Sequence, residues 1–231
     1  MTPRIFVAEA KKIDALVDYY MRNQPLYKTF LDQVLSSLQN DSLLQGLIHS
    51  TKGRLKDPTH LKDKLERKLL LAKTNKKTFA VTEAELFTKV NDLAGLRLLH
   101  LYTSQIAEID ERLKAIVMQE GYELSEGPIA KTWDDDSRQL FNKLGIKAEN
   151  SPSMYTSVHY VIRANKRTPL TCEIQVRTLI EEVWGEVDHS INYPHPSGSR
   201  SCRDQLKVLA RMTSSCTRLV DSIRATHLET E

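Results

Sequence analysis

The 231-residue sequence predicts an α/β (α+β) protein in which helices flank a mixed sheet of roughly five strands. Three observations predict it. Apolar residues recur at helical spacing in several long stretches, and short β-prone runs separate those stretches. Residues 92–101 form a nearly continuous apolar run, as expected of a strand buried on both faces. Residues 171–177 alternate instead, with Cys172, Ile174 and Val176 on one side and Glu173, Gln175 and Arg177 on the other.

The elements follow in order. Residues 8–38 read as a long helix, with Ile13, Leu16, Val17, Tyr20, Leu26, Phe30, Leu31, Val34 and Leu35 near one period; Pro25 is expected to kink or break it. Residues 43–56 begin apolar and turn basic, a strand running into a loop. Asp57-Pro58-Thr59 starts a helix whose seam is Leu61, Leu65 and Leu69. A short helix at 83–90 precedes the apolar strand, and a helix at 104–120 follows it. A strand at 122–125 comes next. Asp134, Asp135 and Asp136 open a helix rather than bind a metal, because adjacent residues diverge on a helix and acids favour its first turn. Strands at 156–163 and 171–177 are joined by a basic turn at 165–169. A helix at 179–191 is expected to pack through Ile180, Val183, Trp184, Val187 and Ile191. Pro194, Pro196 and Gly198 break the chain before a last amphipathic helix at 204–227.

Composition removes several classes. A net charge of +3 and a pI near 8.6 do not argue for nucleic acid by themselves. Cys172, Cys202 and Cys216 form no C-x-x-C pair, so neither a zinc knuckle nor a disulfide framework is suggested. The first ten residues lack a secretory pattern, and no apolar run approaches the ~20 residues of a membrane span. A cytoplasmic protein without a membrane partner is the expectation.

Neither phosphate-binding glycine motif occurs, so any polyphosphate must be held by side chains. Residues 52–77 contain ten Lys or Arg against three acids. Within them Lys64, Arg67 and Lys68 share a helix face opposite the leucine seam, and Arg54 and Lys56 point the same way from the preceding strand. Such a set can clamp a triphosphate or be a solvated basic face. Glu173, Gln175 and Arg177, with Ser157 and His159 on the neighbouring strand, can pave a polar floor or an exposed sheet face. Asp92 opens the apolar strand, where catalytic carboxylates are commonly placed, and an Asp–Glu pair can hold Mg²⁺ when phosphates complete its shell. Arg97 inside that run needs a partner or a stacked base. An Asp92–Arg97 ion pair is the bland alternative, opposed by their unlike parity on a strand. Glu182, Glu186 and His189 imitate half of a di-iron motif whose second copy is missing.

Taken in order, these segments resemble the synthetase domain of the RelA/SpoT family. The matching pieces are Lys52-Gly-Arg-Leu-Lys56 with residues 64–68, Asp92-Leu-Ala-Gly-Leu-Arg97, Tyr155-Thr-Ser-Val-His159, Glu173-Ile-Gln-Val-Arg-Thr178, and Trp184 with Asp188-His-Ser-Ile-Asn-Tyr193. The length is similar to that of a stand-alone small alarmone synthetase. The resemblance implies a nucleotidyltransferase-like synthetase fold, with a helical segment at 1–42, a catalytic domain at 43–195 and a terminal helix at 196–231. It implies transfer of the β,γ-diphosphate of ATP to the 3′-hydroxyl of GDP or GTP. Arg54 and Arg97 would sandwich the adenine, and Lys56, Lys64, Arg67 and Lys68 would hold the phosphates. Asp92 and Glu173 would bind Mg²⁺, with Glu173 also a candidate base. Tyr155 would stack on the acceptor base, and Ser157, His159, Gln175, Arg177 and Glu182 would line the acceptor site. A carboxylate at 182 can accept from both N1–H and the N2 amine of guanine.

One segment departs from the family pattern. Where relatives that use guanosine nucleotides have a basic, glycine-containing loop before the tyrosine, residues 148–154 read Ala-Glu-Asn-Ser-Pro-Ser-Met, with Met154 in place of the usual glycine. This leaves open the toxic relatives' reaction, pyrophosphorylation of the tRNA 3′ end, with an antitoxin partner. A non-catalytic nucleotide- or RNA-binding module on the same fold is the third reading. The family often forms homo-oligomers. No His-Asp dipeptide is present, so the family's hydrolase activity is not expected.

Overall fold

The computed structural model describes residues 4–165, 167–193 and 196–230; Lys166 of the basic turn and Pro194 of the breaker lie outside the described residues. Helix α1 runs Val7–Gln39 and passes through Pro25 without ending. A proline interrupts one backbone hydrogen bond, and Tyr20, Tyr27, Phe30 and Leu31 anchor the helix in the core on both sides of it. A short helix α2, Ser42–Leu47, stands where an apolar start to a strand was expected; Asp41 caps it through Leu44 N. Strand β1 is Ser50–Leu55. Helix α3, Pro58–Thr74, is capped by Asp57 and buries Leu61, Leu65 and Leu69 as the seam predicts. Helix α4 is Glu83–Lys89, β2 is Ala94–His100 and α5 is Ile106–Gln119.

Strand β3 spans Glu123–Thr132, far beyond the expected end at Ser125. Gly127-Pro128 falls inside it and reads as a breaker in sequence, but here marks two register shifts against its neighbour. Helix α6, Asp135–Lys143, is capped by Asp134, as the acidic run predicts. Strand β4, Lys147–Asn150, is a polar edge strand that alternation could not reveal. Strands β5 and β6 are Ser157–Asn165 and Thr168–Thr178, and helices α7 and α8 are Leu179–Asn192 and Arg200–Leu228. Ser199 caps α8 through Cys202 N, so the last helix begins before the expected residue 204.

The sheet has six strands in the order β1-β2-β6-β5-β3-β4. β2 pairs parallel with β6 and β3 with β4; the other neighbours are antiparallel. Parity assigns the two faces. Leu96, Leu98, Ile174, Val176, Val158 and Tyr160 are buried in one core with side chains of α1, α3, α4 and α5. The opposite face carries Gly95, Arg97, Glu173, Gln175, Arg177, Ser157 and His159, and α7 lies beside it. β2 is thus fully buried on its core side, while its other face is half-buried at Gly95 and Arg97 and buried at Leu99. No described helix is long and apolar enough to cross a membrane.

Candidate active site

Asp92 sits in the turn entering β2. The backbone N–H of Lys56 donates to Leu93 O at 2.9 Å, and the Tyr20 hydroxyl of α1 lies 2.9 Å from Lys56 O and 3.3 Å from Leu93 O. These bonds bring the end of β1 against Asp92. Lys56 Nζ then donates to Asp92 Oδ2 at 2.7 Å, and Lys64 Nζ reaches Oδ1 at 2.7 Å from α3. Burial alone would raise the Asp92 carboxyl, but the charges of Lys64 and Lys56 outweigh it and hold it at about 2. The rest of the α3 set is deployed differently. Lys68 donates to Lys89 O at 2.8 Å, and the Arg67 guanidinium stands 5.5 Å from the Tyr193 ring centre.

Glu173 comes to Asp92 through strand pairing. The parallel register sets it across from Gly95, on the same face, where the missing side chain leaves the floor open. Asp92 and Glu173 line one narrow cleft with Arg54, Gly95, Leu96, Arg97 and Gln175. Burial favours the neutral form of Glu173, yet the hydrogen bond and charge of His159, with help from Gln175, bring its carboxyl below the ordinary value despite Asp92 nearby. His159 Nδ1 is 2.9 Å from Glu173 Oε1, and Gln175 Nε2 donates to Oε2 at 2.9 Å. The chain continues from His159 Nε2 to Ser157 Oγ at 2.6 Å and to the Tyr155 hydroxyl at 3.2 Å, which reaches Gln175 Oε1 at 3.2 Å. The polar floor anticipated from alternation is therefore one hydrogen-bonded surface.

This donor set fits a metal brought in by a substrate. No group of three or more His, Cys, Asp or Glu residues that could hold an ion occurs among the described residues. Two carboxylates in one cleft leave most of an octahedral Mg²⁺ shell for phosphate oxygens and water, which is how Mg²⁺ is usually held.

Beside the cleft lies a cavity of about 600 Å³ whose lining includes Arg97, Lys131, Tyr155, His159, Gln175 and Arg177. Helix α7 forms its far wall, turned differently from the expected orientation. Trp184 is buried as expected, but Val183 and Ile191 are exposed and Glu181 and Glu182 are buried. The reason is the sheet face beside this helix, which is polar and carries two arginines. Arg97 Nη1 donates to Glu182 Oε1 at 2.8 Å and also to Glu186. Arg97 therefore pairs with α7 rather than with Asp92. Glu182 is shared with Arg177, whose guanidinium stands 5.5 Å from the Tyr155 ring centre. A side chain at Gly185 would meet Arg177 Nη1 at 2.7 Å, so this glycine makes room for the guanidinium.

Two participants escaped sequence reasoning. Glu186, which pairs with Arg97, resembled part of a metal motif. Lys131 pairs with Ser157 across β3 and β5 and lines the larger cavity. An alternation test carried past Gly127-Pro128 would have found it.

Residues 53–198 match the model of the region found in RelA/SpoT proteins. The chain is 25% identical over 199 residues to GTP pyrophosphokinase YwaC of Bacillus subtilis, covering 81% of each chain. A GTP pyrophosphokinase family protein from Streptococcus pneumoniae superposes with a TM-score of 0.67 at 20% identity, over 92% of this chain and 96% of that one. The small alarmone synthetase 1 of Bacillus subtilis, solved with AMPCPP, gives a TM-score of 0.61 at 17% identity over 91% and 98%. Its complex with the product pppGpp gives 0.53 at 20% over 93% and 97%. With the family model matching more than half of its length and its fold shared with these synthetases, the chain belongs to the RelA/SpoT family.

Proposed function

We propose that this protein is an ATP-dependent pyrophosphokinase that moves the β,γ-diphosphate of ATP to the 3′-hydroxyl of a guanosine nucleotide, GDP or GTP, making (p)ppGpp-type alarmones. The observation that carries the reading is the shared cleft of Asp92 and Glu173, walled by Lys56 and Lys64 and opening beside a nucleotide-sized cavity. The similar Bacillus subtilis synthetase was solved with AMPCPP and with pppGpp, which supports ATP and guanosine nucleotides as the ligands of the two regions.

In the reaction the acceptor 3′-oxygen bonds to the β-phosphorus as its proton passes to the Glu173 carboxylate and on to solvent. The bridging bond from the α-phosphate to the β-phosphorus breaks, and AMP leaves with the electron pair. Negative charge on the phosphoryl oxygens is the main obstacle, so positioned cations dominate catalysis. Lys56 and Lys64 supply fixed positive charge at Asp92, and Arg54 and Arg97 offer guanidinium planes on which adenine stacks. Glu173, held ionised by His159 and Gln175, is placed to accept a hydrogen bond from the 3′-hydroxyl. Asp92 and Glu173 would hold a Mg²⁺ that neutralises the polyphosphate. Lys131 and Arg177 put positive charge in the acceptor region.

The test offers γ-labelled ATP with Mg²⁺ to GDP, GTP, ATP and bulk tRNA separately. Label on GDP or GTP with matching AMP release is expected. Label on tRNA alone would favour the toxin-type reaction that residues 148–154 leave open. ATP binding without transfer to any acceptor would favour a non-catalytic module.

A further inference from the structure

Glu182 contacts two guanidiniums that lie in different parts of the site. Its Oε1 accepts from Arg97 at 2.8 Å, and its Oε2 pairs with Arg177. Arg97 borders both the narrow cleft and the larger cavity, and Arg177 faces Tyr155 within the larger one. A guanidinium donates through its edge and stacks through its face. A carboxylate contacting both guanidiniums therefore helps fix two planes, that of Arg97 at the narrow cleft and that of Arg177 against the Tyr155 ring. Both Glu182 oxygens contact a guanidinium, and the side chain is 10% exposed. Glu186, one turn further along α7 and exposed, touches Arg97 and Lys52 but not Arg177 among the interactions found.

We infer that Glu182 is a positioning residue joining the two nucleotide sites: through Arg97 and Arg177 it sets the geometry for both ATP and the acceptor, and it does not read the acceptor base itself. The inference rests on the pyrophosphokinase reading and assigns Glu182 a different task from the guanine contact that family resemblance implies. Arg97 and Arg177 also repel each other across adjacent strands. Replacing the carboxylate by an amide removes the shared counter-charge and points an N–H₂ group at one of them.

The experiment compares Glu182→Gln and Glu186→Gln with the unmodified chain, measuring KM for ATP, KM for GDP, and the ratio of GDP to ADP used as acceptor. Glu182→Gln is expected to raise both KM values by about tenfold with the GDP/ADP ratio unchanged. Glu186→Gln is expected to raise KM for ATP alone. A rise confined to GDP together with a lost GDP/ADP preference would assign Glu182 to the base and overturn the inference, as would no change in either KM. Should Glu182→Gln fail to fold, Glu182→Asp, which keeps the charge and shortens the reach, should give the same joint rise. If the unmodified chain turns over no acceptor, the pyrophosphokinase reading fails first. Calorimetric Kd values for AMPCPP and GDP then decide the inference alone: both must weaken in Glu182→Gln, and a chain that binds neither nucleotide overturns both ideas.

Discussion

Asp92 owes its charge to two lysines that reach it from separate elements, one past the end of β1 and one on α3. A half-buried carboxylate with two ammonium partners is ionised across the working range, ready for a cation or a polyphosphate bringing one. Gly127 matters for a different reason. It has φ +93°, and a Cβ there would collide with the carbonyl oxygen of His159. Gly127→Ala should therefore cost at least about 2 kcal/mol of stability and displace the strand that carries His159. Chemical denaturation measures the loss, and a variant as stable as the parent would contradict it. Met154 illustrates what sequence could and could not tell. The segment departs from the family pattern by putting methionine where glycine is usual, and the structure places Met154 at φ 57°, a left-handed conformation that glycine adopts without strain. The departure was legible; its backbone cost was not, because dihedral angles leave no mark in composition.

At the scale of elements, α7 is the one whose orientation mattered most and was read least well. Its valines and isoleucines share an apolar stripe, so periodicity assigned that stripe to the core. The adjacent sheet face is charged, and complementarity with Arg97 and Arg177 turned the glutamates inward instead. The seam of α3 and the alternation of β6 were legible because each packs against an apolar core on one side, the condition under which periodicity reports burial. β4 was missed because a short polar edge strand has no such condition to satisfy. The inward turn of α7 has a measurable consequence. Glu181 is buried, and that burial pushes its carboxyl up to about 7, with Asp134 adding to the rise while the Thr156 N–H and Arg177 act against it. Between about pH 4.5 and 7 the unfolded chain loses this proton while the folded chain keeps it, so stability falls as pH rises through that window. Glu181→Gln should remove the effect and make the protein more stable by about 3 kcal/mol above pH 7, with little difference near pH 4. Thermal melts at both pH values check it; a variant equally destabilised at both would contradict it.

At the scale of the molecule, the site is a product of topology. Asp92 and Glu173 are far apart in sequence, and only the parallel pairing of β2 with β6 brings them to one cleft. No local pattern encodes that pairing; it was anticipated through family resemblance, and the structure supplies the register that realises it. Helix α1 joins the arrangement from the far end of the chain, since the Tyr20 hydroxyl braces the carbonyls of Lys56 and Leu93 on either side of the Asp92 site. The central claim is that Asp92 and Glu173 together hold a divalent cation carrying the ATP phosphates. Calorimetric binding of AMPCPP, with and without Mg²⁺, to the unmodified chain and to Asp92→Asn and Glu173→Gln tests it most directly. Mg²⁺ should tighten binding at least about tenfold in the unmodified chain, and either substitution should remove this gain. A gain that persists in both variants would contradict it.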